Sequence, residues 1–147
     1  MVYQSRFARK EDVASLKRFL EHAGVSSEGV DRLYEYFIIL EKENKECVAC
    51  LGVEPLKQVG LMRSLVMMPS VREEGLFLLF EKMMQLAQEK QVKQLLLATN
   101  RNSSVPFLAA LGFNAVDREE VPEELSLSEH GKQLLQSEIV MFMQRIV

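Results

Sequence analysis

Between Glu73 and Lys90 the apolar residues Leu76, Leu79, Phe80, Met83 and Ala87 recur at about 3.6-residue spacing, which predicts a long helix with one buried face. Val13, Leu16, Phe19, Leu20 and Ala23 repeat the pattern earlier, in a helix stopped by Gly24. Ahead of it "VYQSRFA" alternates as a short strand. After it "VSSEGVDRLYEYF" predicts a short second helix carrying Leu33 and Phe37, with Ser26 or Ser27 as its cap. The run "YFIILEKENKECVACLGVEPL" reads as two strands joined by a polar turn around Glu43, Asn44 and Lys45. "VGLMRSLVMM" is a third strand, ended by Pro69. "VKQLLLAT" is apolar without alternation, as in a strand covered on both faces. "SVPFLAALG" predicts a short helix with Pro106 in its first turn and Gly112 at its end. "FNAVDRE" and "EIVMFMQRIV" close the chain as strands, separated by a polar segment from Pro122 to Gln136. The resulting order, β-α-α-β-β-β-α-β-α-β-β, is that of an α/β (α+β) chain with about seven strands and about four helices.

The chain has 147 residues, 48% of them hydrophobic and 27% charged, which fits one globular domain over residues 1–147. Its longest apolar stretches are broken by charge and fall short of the ~20 residues of a membrane-spanning helix. The expectation is therefore a cytoplasmic chain with no membrane partner. The formal net charge is −3 and no Lys/Arg cluster alternates with aromatics, so the electrostatic footprint of nucleic-acid binding is missing. Cys47 and Cys50 have a C-x-x-C spacing, but they lie in the strand-like "ECVACLGV", where residues three apart are expected on opposite faces. A redox pair instead begins a helix, so two packed thiols in a reducing compartment are expected. His22 and His130 show no ligand spacing with them, and no metal site is expected.

The element order, with the phrases "GVEPLKQVGLMRSLVMMPSVREEGL" and "FLAALGF", resembles the GNAT superfamily of acyl-coenzyme A dependent N-acyltransferases over essentially the whole chain. The wording is most similar to the small branch of arsenic-resistance-associated acetyltransferases and N-acetylglutamate-synthase domains. The matching words are Gly52-Val53-Glu54-Pro55, Arg63-Ser64-Leu65 and Ser137-Glu138-Ile139-Val140-Met141. The resemblance implies a mixed, mostly antiparallel central sheet and acetyl-CoA as cofactor. Its pantetheine arm would lie beside Leu65, Val66 and Met67 like an added strand, with Asn102 touching that arm or capping the next helix. A strand ended by Pro69 and followed at once by a helix predicts that the sheet opens beside Leu65 to Met68. The pyrophosphate would sit at the following helix start, where free N–H groups and the dipole attract anions. Against the family spelling Arg/Gln-x-x-Gly-x-Gly/Ala this chain has Arg72, Glu73, Glu74, Gly75, Leu76 and Phe77. Arg72 and Gly75 fit. Phe77 stands where a small residue is usual, and the two carboxylates oppose a pyrophosphate.

Direct acyl transfer needs a base for the acceptor ammonium and commonly an acid for the leaving thiolate. The family's usual acid is a tyrosine four residues before Gly-Phe; here that position is Leu108. Glu54, at the end of an apolar strand, is the candidate base. Arg63, expected to share a strand face with Leu61, Leu65 and Met67, either clamps an acceptor carboxylate or pairs with Glu54. Ser64 is expected to be structural, and His130 is a candidate lid residue over the acceptor. The resemblance further implies a homodimer paired through late strands. Two functions follow: acetylation of a small amino-acid-like acceptor, or a module of the same fold that binds acyl-CoA or a protein partner without turnover.

Overall fold

The computed structural model describes residues 2–100 and 102–147, Asn102 by its backbone alone. Seven strands form one sheet: β1 (Tyr3–Phe7), β2 (Phe37–Lys42), β3 (Cys47–Leu56), β4 (Val59–Met67), β5 (Gln94–Thr99), β6 (Asn114–Val116) and β7 (Met141–Ile146), in the order β1-β2-β3-β4-β5-β7-β6. The helices are α1 (Val13–His22), α2 (Val30–Leu33), α3 (Glu73–Glu89), α4 (Val105–Ala110) and α5 (Glu129–Gln136). Pairing is antiparallel for β1 with β2, β2 with β3, β5 with β7 and β6 with β7, and parallel for β4 with β5. The one addition to the expected order is α5, inside the polar segment before β7. Ser128 caps it by accepting from the Gly131 amide at 3.0 Å. By contacts the chain divides into two compact units.

The first unit holds the chain through Glu54 together with Arg63–Leu86. Leu16 and Leu20 of α1 and Val30 of α2 pack on Phe37, Ile39 and Cys50. Leu40, one residue on from Ile39, instead meets α3. A Cβ on Gly75 would lie 2.6 Å from Val71 and 3.0 Å from Leu40, so the missing side chain is what lets α3 approach β2. Gly29, not Ser26 or Ser27, caps α2, and it does so at φ +83°, a conformation that costs glycine little. The Ser27 hydroxyl donates instead to Glu21 at 2.6 Å.

The register between β2 and β3 shifts at Leu40/Glu41: Leu40 pairs with Ala49 but Glu41 with Cys47, which leaves Val48 as an extra residue. Such a bulge breaks strict alternation. This corrects the expectation for the cysteines, because Cys47 and Cys50 both pack in the α1-side cluster.

At the edge of that cluster Glu41 is only 3% exposed. Arg6 Nε lies 3.2 Å from its Oε2, and Lys45 Nζ lies 3.9 Å from its Oε1. Both Arg6 Nη atoms donate to Asp12 at 2.8 Å, the bidentate fit of a guanidinium on a carboxylate. The Arg6 Nε contact is an ion pair without hydrogen-bond geometry.

The second unit holds Pro55–Met62 and Ala87–Val147. Its core gathers Leu56, Val59, Leu61, Leu96, Leu125 and Phe142. β3 runs through Pro55 to Leu56 before a turn in which Lys57 takes φ +60°. Pairing of β4 with β5 covers Val59, Gly60 and Leu61 against Gln94, Leu95 and Leu96, and stops there among the described residues. β4 itself continues to Met67, so its later half lies beyond the β5 pairing, as expected for this stretch. One guanidinium braces the run before β7: Arg118 donates to the carbonyls of Leu135, Ser137 and Val140 and lies over the Phe142 ring.

Candidate active site

Strand alternation carries Cys50 and Gly52 onto Glu54, and Gly52 lies close under Phe37, whose ring would stand 2.7 Å from a Cβ there. Glu54 and Arg63 then meet. Oε2 and Nη1 are 3.7 Å apart, with side chains 17% and 23% exposed. This is the ion pair that was one of the two readings of Arg63. At that separation it is a Coulombic contact rather than a hydrogen bond, so Glu54 does not saturate the guanidinium's five donors.

Ser64, next in β4, has φ +58° in the middle of a strand. A serine held there is strained, and the residue is structural in a stronger sense than expected, because it interrupts the alternation that would group Arg63 with Leu65 and Met67. Its carbonyl accepts from the Cys50 thiol at 3.4 Å. Burial pushes the Cys50 thiol far above its ordinary value and Cys47 up to about 11. Neither is a thiolate at neutral pH, and neither serves as a nucleophile.

Beyond Ser64 the strand turns outward. Leu65 is 43% exposed and Met67 is exposed, while Val66 packs against the α1-side cluster. The Met68 amide donates to the Val48 carbonyl on β3 at 2.9 Å. By the alternation of peptide groups, Leu65 and Met67 present theirs to the opposite edge. At the start of α3 the Arg72 carbonyl accepts from the Gly75 and Leu76 amides at 3.0 and 3.2 Å. The Glu73 and Glu74 amides have no acceptor among the described residues, which is the ordinary state of a first helical turn. Arg72, Glu73 and Glu74 are exposed, and Phe77 is 47% exposed. Gly75 is buried by packing on β2, and Leu76 is half-buried.

The remaining expected residues lie in the second unit. Asn102 is in a 3-10 turn (Asn102–Ser104) and its side chain is outside the described residues. His130 is half-buried on α5 rather than in a loop. Leu108, at the position of the family's tyrosine, is a core residue of α4. The structure thus brings together Glu54 and Arg63, and in the same unit the β4 edge and the α3 start.

No family model matches the chain. Over 146 residues, spanning 99% of this chain and 98% of the relative, it is 38% identical to the uncharacterized protein YwlB of Bacillus subtilis (strain 168). The chain belongs to the YwlB family. Among solved structures, this YwlB-family chain is similar to Rv2747 from Mycobacterium tuberculosis, solved in complex with CoA and NLQ, with TM-score 0.77 and 17% identity over 98% of this chain and 99% of that one. The N-acetylglutamate synthase of Neisseria gonorrhoeae, complexed with coenzyme A and N-acetyl-glutamate, matches at TM-score 0.71 and 20% identity over 99% of this chain but 35% of its own. A GNAT superfamily phosphinothricin acetyltransferase from Sinorhizobium meliloti, in complex with AcCoA, matches at 0.70 and 12% identity over 100% of this chain and 89% of its own. These likenesses give the YwlB-family chain the GNAT fold. Sequence reasoning on it missed the left-handed Ser64, which no glycine or asparagine announces. It also missed a cavity of about 500 Å³ beside α1, whose lining is dispersed over three elements.

Proposed function

We propose that the protein is an acetyl-CoA-dependent N-acetyltransferase that acetylates the amino group of a small amino-acid-like acceptor by direct transfer, within the small branch of arsenic-resistance-associated acetyltransferases and N-acetylglutamate-synthase-like domains. The observation that carries this reading is the conjunction, in one unit of a GNAT fold, of the later half of β4, a helix start with two amides that have no acceptor among the described residues, and a half-buried Glu54–Arg63 pair. Solved proteins of this fold bound to CoA, one of them with N-acetyl-glutamate, support it.

In this reading the peptide groups of Leu65 and Met67 hold the pantetheine arm, and Arg72 with the Glu73 and Glu74 amides holds the pyrophosphate. The cofactor supplies an acyl carbon activated as a thioester. Glu54 takes the proton from the acceptor ammonium, and Arg63, with donors to spare, clamps the acceptor carboxylate. The exposed Ile146 on β7 is apolar surface that the inferred homodimer would cover.

The first test is whether acetyl-CoA stabilises the protein. At 100 times its dissociation constant the expected gain is about 2.7 kcal/mol, read as a rise in melting temperature. A protein that does not shift with saturating acetyl-CoA sinks the reading. Stabilisation without release of free CoA thiol, across a panel of amino acids and analogues, favours the non-catalytic module, to which buried Leu108 lends weight.

Glu73→Gln with Glu74→Gln is expected to tighten acetyl-CoA binding, because it removes like-charge repulsion at a helix start that also attracts anions. The gain shrinks as salt screens it, so calorimetric titration at low and high ionic strength reads the electrostatic share directly. Unchanged affinity at both salts would mean that the carboxylates point clear of the phosphates. With its ring half-exposed, Phe77→Gly costs mainly the about 1 kcal/mol of glycine in a helix.

A further inference from the structure

The cavity of about 500 Å³ lies wholly in the first unit, between α1, the start of β3 and the end of β4. Its size is that of small-molecule pockets, roughly 300–1,000 Å³. Neither Glu54 nor Arg63 lines it. Its body is apolar: Phe19 from α1, Cys47 from β3, and Val66, Met67 and Met68 at the end of β4. Met67 and Met68 are each 38% exposed there, and such apolar surface gains by being covered.

Charge on the wall is one-sided. Arg18 and His22, one helical turn apart on α1, both line the cavity and have no partner among the described residues. The only carboxylate in the lining, Glu46, is already engaged by Lys42 Nζ at 3.0 Å. Cys47 adds no charge, since burial keeps its thiol protonated at neutral pH.

We propose that this cavity binds a small amphipathic monocarboxylic acid, its aliphatic body on Phe19, Met67 and Met68 and its carboxylate on Arg18, with His22 beside it. A planar guanidinium fork suits a carboxylate, and one fixed cation matches one negative charge. Among the described residues Arg18 is the one fixed cation there, and the exposed apolar surface of Met67 and Met68 beside it suits an aliphatic chain, which a free phosphate lacks.

The test is calorimetric titration of the whole protein with octanoate, and with octylamine as the same chain carrying the opposite charge. Octanoate is expected to bind saturably at one site per chain and octylamine to bind at least tenfold more weakly. Arg18→Glu, a change at an exposed helix position, is expected to weaken octanoate at least tenfold and to reverse the preference. Ser15→Trp, which adds bulk from the wall, is expected to abolish both, with circular dichroism showing that each variant keeps its fold. Absence of octanoate binding, equal binding of the two probes, or indifference to Arg18→Glu overturns the proposal. Displacement of octanoate by acetyl-CoA overturns it too, because the cavity would then be part of the proposed cofactor site. The proposal does not depend on acetyl transfer, and its failure leaves that reading where it stands.

Discussion

Glu54→Gln is expected to lower the maximal rate of acetyl transfer by roughly a hundredfold or more while acetyl-CoA affinity stays nearly constant. The amide keeps the size and polarity of the carboxylate but cannot take a proton from an ammonium. The substitution also removes the Coulombic contact with Arg63, 3.7 Å away, so urea unfolding of the variant, run alongside the kinetics, separates a loss of stability from a loss of rate. The cofactor contacts inferred for Leu65, Met67 and the start of α3 do not pass through Glu54. The effect therefore belongs in kcat, with acetyl-CoA affinity measured separately by calorimetry. A rising pH should recover part of the lost rate if the acceptor then arrives as a free amine. An unchanged rate at saturating substrates would move proton removal to solvent and leave Glu54 as the structural partner of Arg63.

Arg6→Met is expected to be the most destabilising of the substitutions considered, at about 3 kcal/mol. Among the described residues it would leave Glu41, 3% exposed, with the more distant Lys45 ammonium alone to compensate it. Removing one member of a buried pair costs more than removing both, because the survivor remains desolvated. Arg6→Met with Glu41→Leu should thus recover much of the loss, and urea unfolding of the two single variants and the double variant gives the coupling directly. A single-variant cost under about 0.5 kcal/mol, the level of an ordinary surface change, would show that Glu41 rehydrates.

Acid adds a second reading of the same network. Asp12 is held below the usual carboxylate range by its hydrogen bonds from Arg6, against a burial effect of opposite sign. A depressed folded-state value means that this part of the stability is complete above the ordinary carboxylate pKa of about 3.9 and is lost as pH falls through the lowered value. The stability gap between wild type and Asp12→Asn should narrow only in that acid window.

Much of the fold was legible because it rests on periodicity. The stripe of Leu79, Phe80, Met83 and Ala87 is the buried face of α3, and the unbroken apolar run of β5 is a strand inside the sheet. Where the sequence misled, one backbone residue was responsible each time. The extra Val48 turns Cys47 toward the side of Cys50, and Ser64 takes a left-handed φ next to Arg63; neither residue type signals such a departure. Gly29 took the capping role from two serines because its left-handed backbone, not a hydroxyl, starts α2. Of the site, the Glu54–Arg63 pair could be read as an option from strand alternation alone. Gly75 could be read only as a turn residue, since its packing on Leu40 joins positions 35 apart in the chain. The α1 cavity combines side chains of three elements, which no local pattern announces.

The two thiols bear on how the enzyme reading can be measured. Detecting acetyl transfer through free CoA sulfhydryl competes with any sulfhydryl of the protein itself, and each chain carries two. Cys50 is fully buried, while Cys47 is half-buried on the α1 cavity with its thiol pushed up by burial, so the native protein reacts with a disulfide dye slowly and through Cys47 first. Unfolded chains react fast, and would each contribute two equivalents of colour without turning over any substrate. A burst of signal that scales with protein concentration and ignores the acceptor is therefore a gauge of sample integrity, separable at a glance from a steady slope that needs the acceptor.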